Sequence, residues 1–482
     1  MQHSYRQIAE QLNQLIRSHQ YQVGERLPSV RTFADQHNVS VSTVLRCYRY
    51  LESIGMIEAR AKSGMYVADW KIRHATISGA THTKNQEPEA RVIEYDKLRS
   101  LQHRMTELYS LTDQPLQWRL HLASAAPEWY PTKEMSKIAQ TILRQCPEIL
   151  GEYPTGTGLA ALKEQLVRWL ATFSLEVQTS ELLITNGSTE ALSVALRAVA
   201  QAGDTIVVES PVYFGLLQVI ENLGMKAIAV PCIEDQGMSM EALDYVLEHQ
   251  TGLKAIVVMP NFQNPLGCAM PDKNKKHLLR LAEQYNLAVI EDDVFADLSP
   301  QTERPKPIKA WDKHGRVIYC GSCSKSMAPG FKVGWVAGGR HHAKIASLKL
   351  SHSLVTPLFE QAVLAEFMQT GVLHAHLRKL RERLTANIPA ATSALRSYFP
   401  IGTRLVSSAG GWWIWVALPV QVDSLVLLRR AVGMGLSFTP GSLFTNSEKF
   451  SHYLRLNIAQ PWGDNMERGM QLLGELVHEL AQ

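Results

Sequence analysis

Cysteine is scarce in this chain, six residues in 482, which excludes the disulfide framework of a small secreted scaffold. The one close pair, Cys320 and Cys323, has no second pair to complete a metal-binding set. Both are expected to be reduced structural residues, and no metal site is expected. No run of 18 apolar residues occurs, and the start, Met1-Gln-His-Ser-Tyr-Arg6, lacks the apolar segment of a secretory leader. A cytoplasmic protein with no membrane partner is the expectation. Internal repeats and low-complexity tracts are missing as well, which argues against a solenoid or a fibrous chain. Charge imbalance is slight, and it is uneven. The first 75 residues hold ten Lys and Arg against six Asp and Glu, while the rest carries 39 of each. The whole +4 excess therefore sits at the N-terminus and points to a polyanionic partner there. What is present in quantity is apolar: 45% of residues, with 20% charged, in a chain too long for one core.

The N-terminal stretch carries its own periodicity. Ile8, Leu12, Leu15 and Ile16 fall at helical spacing, predicting a helix over about 5–18. The turn Gly24-Glu-Arg-Leu27-Pro28-Ser29 opens a second helix with Val30, Phe33 and Ala34 inward. Asn38 suits its left-handed close, and Ser40 suits the cap of a third helix reaching about Ile54. Residues 56–60 and 65–67 read as two strands about a turn at 61–64. Three helices and a hairpin over residues 1–70 make a winged helix-turn-helix. Its third helix offers Ser40, Ser42, Thr43, Arg46 and Arg49, its second Arg31, and its wing Arg60 and Lys62. Short polar and cationic groups grouped in this way suit the base edges and phosphates of double-stranded DNA. An oligomerisation module with a solvated basic face is the competing reading.

Residues 71–94 are polar and aperiodic and read as a linker. From 95 to 482 helical patterns alternate with short apolar runs, at Leu182–Ile184, Thr205–Val208, Ala255–Val258, Leu287–Ile290 and Val317–Tyr319. Such runs are strands buried on both faces, hence an α/β fold around a mainly parallel sheet, whose ligands bind beyond the strand carboxyl ends. Chemistry gathers at those ends. Lys325 follows the 317 strand beside an apolar wall, where desolvation frees an amine to act as a nucleophile. Ser322, Ser324 and Lys332 offer hydroxyl and cationic donors for a phosphate, as do the helix-start residues Gly187, Ser188 and Thr189. An amine that forms an imine and a phosphate clamp together suggest pyridoxal 5′-phosphate. Tyr213 could stack on a flat ring, Asn264 could donate to a phenolic oxygen, and Asp292 could keep a pyridine nitrogen protonated. Arg455, alone in an alternating strand, suits a carboxylate.

Two resemblances follow from these residues. Gly24-x-Arg-Leu27-Pro28-Ser29-x-Arg31, Val39-Ser40-x-Ser42-Thr43-Val44 and Ser63-Gly64-x-Tyr66-Val67 resemble the DNA-binding domain of GntR-type regulators. The ordered set from about 120 to 480 resembles a fold-type I, aspartate aminotransferase-like transferase with a smaller α+β domain. That likeness implies Lys325 as the catalytic imine-forming residue, Asp292 as the pyridine partner, Asn264 and Tyr213 at the ring, and Arg455 for a substrate carboxylate. It also implies Tyr153 reaching a neighbouring subunit's phosphate, hence a homodimer. The fusion is the arrangement of MocR-type regulators. It implies a DNA-binding regulator that senses pyridoxal phosphate or a small amino compound as effector, by exchange of internal for external aldimine. An active aminotransferase on an amino acid or related amine is the alternative. Position 332 is Lys where that family has Arg, and position 295 is Phe where many relatives have Tyr. Both changes preserve binding better than turnover.

Overall fold

The computed structural model describes residues 101–482 apart from 301–302, 408–409 and 446–447, with 91–93 and 95–100 as backbone. Of the N-terminal segment it describes 8, 9, 12, 15, 16, 21, 22, 24–37, 39–41, 43, 44, 47, 48, 51, 56–60 and 64–67. The chain divides into two compact units, Met1–Glu87 and Pro88–Gln482.

In the first unit the spacing read from sequence closes a small core. Ile8, Leu12 and Ile16 pack with Leu27, Phe33, Ala34, Val44, Cys47, Tyr48 and Leu51. Ser29 starts the helix Val30–His37, its hydroxyl accepting from the Thr32 amide at 3.1 Å. Ser40 does the same for the next helix through the Thr43 amide at 3.1 Å. The Tyr48 hydroxyl donates to the Pro28 carbonyl at 2.8 Å, locking that helix to the turn before the second. Strands Ile57–Arg60 and Gly64–Val67 pair antiparallel, Ile57 opposite Val67. Gly24, at φ +82°, lets the turn reach the wing, where its amide donates to the Val67 carbonyl at 2.8 Å. The winged helix expected from sequence is therefore present in its described residues.

The second unit is built on a nine-stranded sheet. Its centre is five parallel strands in spatial order Lys226–Ile233, Thr205–Ser210, Leu253–Val258, Ala288–Asp292 and Val317–Ser322. Gly334–Ala337 then runs antiparallel between Val317–Ser322 and Leu182–Thr185. Burial of Ala288–Asp292 and Val317–Ser322 along their whole length explains their unbroken apolar runs. Residues 91–93 correct the linker expected over 71–94. They form a strand pairing antiparallel with Lys226–Ile233, Val92 opposite Ile228. Three residues are too short a run to show periodicity, and what recruits them is an open sheet edge. The rest of that stretch lies outside the described residues, apart from the helix Tyr95–Thr112 that follows it.

A smaller antiparallel sheet, Arg404–Ser407, Trp413–Ala417, Tyr453–Asn457 and Thr439–Pro440, forms the α+β part with the helices Val372–Tyr398, Ser424–Gly433 and Asp464–Ala481. It matters here because Tyr453–Asn457 carries Arg455, opposite Trp415 and Thr439.

Candidate cofactor site at the sheet edge

Three acids end the strand Ala288–Asp292 and its extension, and the structure sorts them. Glu291 accepts from the amides of Ile308 and Lys309 at 2.7 and 3.0 Å. Asp293 is paired with Arg304 at 2.8 Å and accepts from the Asn261 amide at 2.7 Å. Arg304 also holds Asp297 at 2.7 Å. Asp292 differs: it is buried, and its Oδ1 has no partner among the described residues. Burial and the neighbouring Asp293 push its carboxyl up to about 7. A buried carboxylate oxygen without a donor is costly unless a cation or N–H arrives from outside the chain. Asp292 lines one cavity with Tyr213, Asn264, Glu209 and Met259.

Lys325 lies where the 317 strand delivers it. Its Nζ donates to the Ala123 carbonyl at 2.8 Å and stands 5.5 Å from the centre of the Phe295 ring. Burial, then Arg455 and Lys332, bring its amine down to about 8 against the pull of Asp292. Arg455 is buried with no carboxylate at ion-pair distance among the described residues. It donates instead to neutral acceptors: Asn264 Oδ1 at 2.9 Å, the His121 carbonyl at 2.7 Å and Thr439 Oγ1 at 3.0 Å. Trp413 and Phe444 flank it, each ring centre 5.4 Å away, and burial lowers it to about 10. A sealed cation without an anion is a receptor for one. With Asn264 Oδ1 turned to Arg455, its Nδ2 is left as the donor toward the cavity.

The phosphate candidates also converge. Asn186 precedes the helix Gly187–Val199 with no side-chain cap, so the first-turn amides at Gly187, Ser188 and Thr189 are not satisfied in the usual way. Gly187 adopts φ +79° against the Lys332 carbonyl, and a Cβ at Gly334 would meet Gly187 backbone at 2.6 Å. That close approach brings the helix start and the Lys332 loop together. Ser322 and Ser324 hydroxyls are 3.1 Å apart at the end of the neighbouring strand. Lys332 itself is exposed and sits in the left-handed region at φ +55°. Tyr213 folds back over Gly215, where any Cβ would strike its ring at 2.5 Å.

Other expected residues fall outside this cluster. Tyr153 is 73% exposed. Ser40 and Thr43 share a cap, their hydroxyls 2.7 Å apart, while Arg31 and Arg60 are placed on the second helix and first wing strand by backbone alone. Ser42, Arg46, Arg49 and Lys62 lie outside the described residues, as does Asn38. Among the described residues no group of acids, histidines and cysteines could hold a metal, and no helix is long and apolar enough to cross a membrane. Sequence reasoning misses Glu209 and Arg304. Glu209 carries the signal that singled out Asp292, an acid at the carboxyl end of a buried strand. Arg304 carries none, because its partners are close only once the chain is folded.

The family model for aminotransferase class I and II matches residues 130–473. A kynurenine aminotransferase from Pyrococcus horikoshii, solved with PMP, is 30% identical at a TM-score of 0.72, covering 79% of this chain and 95% of its own. LysN, the alpha-aminoadipate aminotransferase of Thermus thermophilus, complexed with N-(5′-phosphopyridoxyl)-L-leucine, is 27% identical at 0.71, covering 78% and 95%. The family model for bacterial regulatory proteins of the gntR family matches residues 4–67. Over the full length, the HTH-type transcriptional regulators YjiR and YdcR of Escherichia coli strain K12 are 34% and 33% identical, the former over 99% of both chains. Residues 4–67 match the one family and residues 130–473 the other, and two HTH-type transcriptional regulators match over the full length, so the chain belongs to the gntR family of transcription regulators, in its MocR-type arrangement.

Proposed function

We propose that this regulator binds pyridoxal 5′-phosphate at the sheet edge and reads a small amino compound through it. The observation that carries the reading is the pair of unmet charges in the second unit. Asp292 presents a buried oxygen with no donor, and Arg455 a buried guanidinium with no anion, among the described residues. One ligand with a protonated ring nitrogen and another with a carboxylate complete both. When bound, the cofactor supplies an aldehyde that a primary amine can capture. Lys325 supplies that amine, Asp292 holds the proton of the ring nitrogen, and Asn264 Nδ2 donates to the ring oxygen. Tyr213 covers the ring, while Gly187, Ser188, Thr189, Ser322, Ser324 and Lys332 hold the phosphate.

Both cationic groups reach one short segment, Lys325 at the Ala123 carbonyl and Arg455, besides Asn264 and Thr439, at the His121 carbonyl. Ligands that take over Lys325 and Arg455 release those two bonds and so change the footing of residues 121–123. That segment follows the chain leading out of the DNA-binding unit, which gives effector binding a covalent route toward the head. The exposed Tyr153 suits a residue that completes the phosphate site of a second copy, as a homodimer requires. Phe295 has no hydroxyl to support a ring oxygen and packs edge-on to Trp413 at 4.6 Å, which favours sensing over transamination.

The test is binding of the purified protein to a DNA fragment of its own promoter region, with and without pyridoxal phosphate, and then with added amino acids. A change in affinity on adding the cofactor is the expected result. Identical binding curves under all conditions would overturn the reading. The Lys325 amine makes a further prediction. At pH 7 an amine of pKa about 8 is roughly 10% neutral, against about 0.03% for an ordinary lysine. Covalent capture of pyridoxal phosphate, followed by absorbance, is expected to speed up from pH 6 to 8 and level off above about 8. A rate still climbing steeply at pH 10 would show an unperturbed lysine.

A further inference from the structure

Glu209 is the penultimate residue of the strand Thr205–Ser210 and is only 2% exposed. Its Oε2 accepts from the Met259 amide at 3.0 Å, and its Oε1 has no partner among the described residues. It lines the same cavity as Asp292, whose Oδ1 is likewise unmet. The groups that face it are Asp292 from the strand Ala288–Asp292, the Cys232 and Cys268 thiols and the Gln263 amide. Both thiols are held neutral by burial. Gln263 donates from Nε2 to the Pro211 carbonyl at 2.7 Å and accepts the Leu266 amide on Oε1 at 3.0 Å, and its second Nε2–H is a weak donor to Glu209. No cation therefore faces Glu209 among the described residues.

Two buried carboxylates on one cavity, with the Lys325 amine acting on Asp292 and no cation on Glu209, do not both stay ionised; one keeps a proton. With the ring nitrogen of the cofactor beside Asp292, the proton belongs on Glu209. Oε2 is occupied as an acceptor, so the proton belongs on Oε1, the atom left without a partner. A lone donor and a lone acceptor then share one cavity. We propose that Glu209 is a positioning residue, a neutral acid whose Oε1–H hydrogen bonds to Asp292 Oδ1, directly or through one enclosed water, and so holds Asp292 as an oriented anion under the cofactor. The inference rests on pyridoxal phosphate binding at this site. Burial, with Asp292 adding to it, pushes the Glu209 carboxyl up to about 8, which agrees.

Two variants separate this from a plain packing role. Glu209→Gln keeps a neutral donor of the same shape, and Glu209→Leu removes it. Pyridoxal phosphate affinity, read by titration of absorbance, is expected to stay within about threefold of wild type for Glu209→Gln and to fall about tenfold for Glu209→Leu, the worth of one hydrogen bond to a charged group. Infrared difference spectra of the loaded protein at pH 7 are expected to show a protonated-carboxyl stretch that Glu209→Gln removes, a readout independent of how well Glu209→Leu folds. If Glu209→Gln binds as weakly as Glu209→Leu, or the stretch survives in Glu209→Gln, the neutral-donor role is wrong. A wild-type protein that takes up no pyridoxal phosphate would instead sink the cofactor reading itself, and the two failures are distinct.

Discussion

Lys325→Ala is expected to abolish covalent attachment of pyridoxal phosphate and to leave DNA binding indifferent to that compound. The other amines in the described site cannot substitute. Lys275 is spent on Asn261 Oδ1 and the Lys306 carbonyl, both at 2.7 Å, and Lys349 on Glu190 at 3.0 Å. Lys332 is exposed on its loop, with nothing to strip its amine of water. Removal of the Lys325 side chain should not unfold the protein. It forfeits one hydrogen bond to Ala123, of about 1 kcal/mol, and the attraction of Asp292, and in return relieves the burial of the amine and its repulsion with Arg455 and Lys332. The melting temperature is therefore expected to hold or rise. Borohydride treatment followed by intact-mass measurement reads the result: wild type gains one cofactor mass, and the variant gains none. Lys325→Arg should fail in the same way, because a guanidinium keeps the charge but is never a neutral nucleophile at working pH. A fixed cofactor mass on Lys325→Ala would place the reactive amine elsewhere and overturn the site.

Much of this site is legible in the sequence because strand ends are legible. An unbroken Val/Ile run names a buried strand, and the parallel-sheet rule then says which end to search. Asp292, Tyr213 and Asn264 emerge in that way, and the structure lines one cavity with them. The winged helix is legible for a related reason: a small core at helical spacing with serine caps at Ser29 and Ser40 is local information. Pairings across long stretches of chain are not. That Arg304 neutralises Asp293 and Asp297, leaving Asp292 alone among three adjacent acids, depends on a fold that brings a loop back over the strand. That carbonyls of Ala123 and His121 hold Lys325 and Arg455 has no signal at all, since every residue has a carbonyl. The strand at 91–93 hides for another reason, its length. Glu209 is legible by the same rule as Asp292, but the proline and tyrosine that follow it are the more conspicuous residues of that strand end.

Arg455→Met carries two expected effects, both forced by one charge. The first is on ligands bearing a carboxylate. Arg455 makes no ion pair among the described residues, so its full charge is available to an arriving anion in a dry site. Leaving that anion buried and unpaired costs about 2–5 kcal/mol, a loss of affinity of at least about thirtyfold. Amino acids should therefore cease to alter DNA binding at concentrations that saturate wild type. The second effect is on Lys325, which Arg455 helps to hold below the ordinary lysine value. With the guanidinium gone, only burial and Lys332 oppose protonation while Asp292 still favours it, so the Lys325 pKa moves up. Less neutral amine remains at pH 7, and the midpoint for covalent capture of pyridoxal phosphate shifts above about 8 although the variant still captures it fully at higher pH. Met is the replacement of choice because its unbranched, apolar chain can lie between Trp413 and Phe444 without a charge. A surface arginine would show neither effect. A variant that loses amino-acid response with an unmoved capture midpoint would mean that Arg455 and the Lys325 amine do not share one cavity, and the pairing of the two ligands proposed above would fail with it.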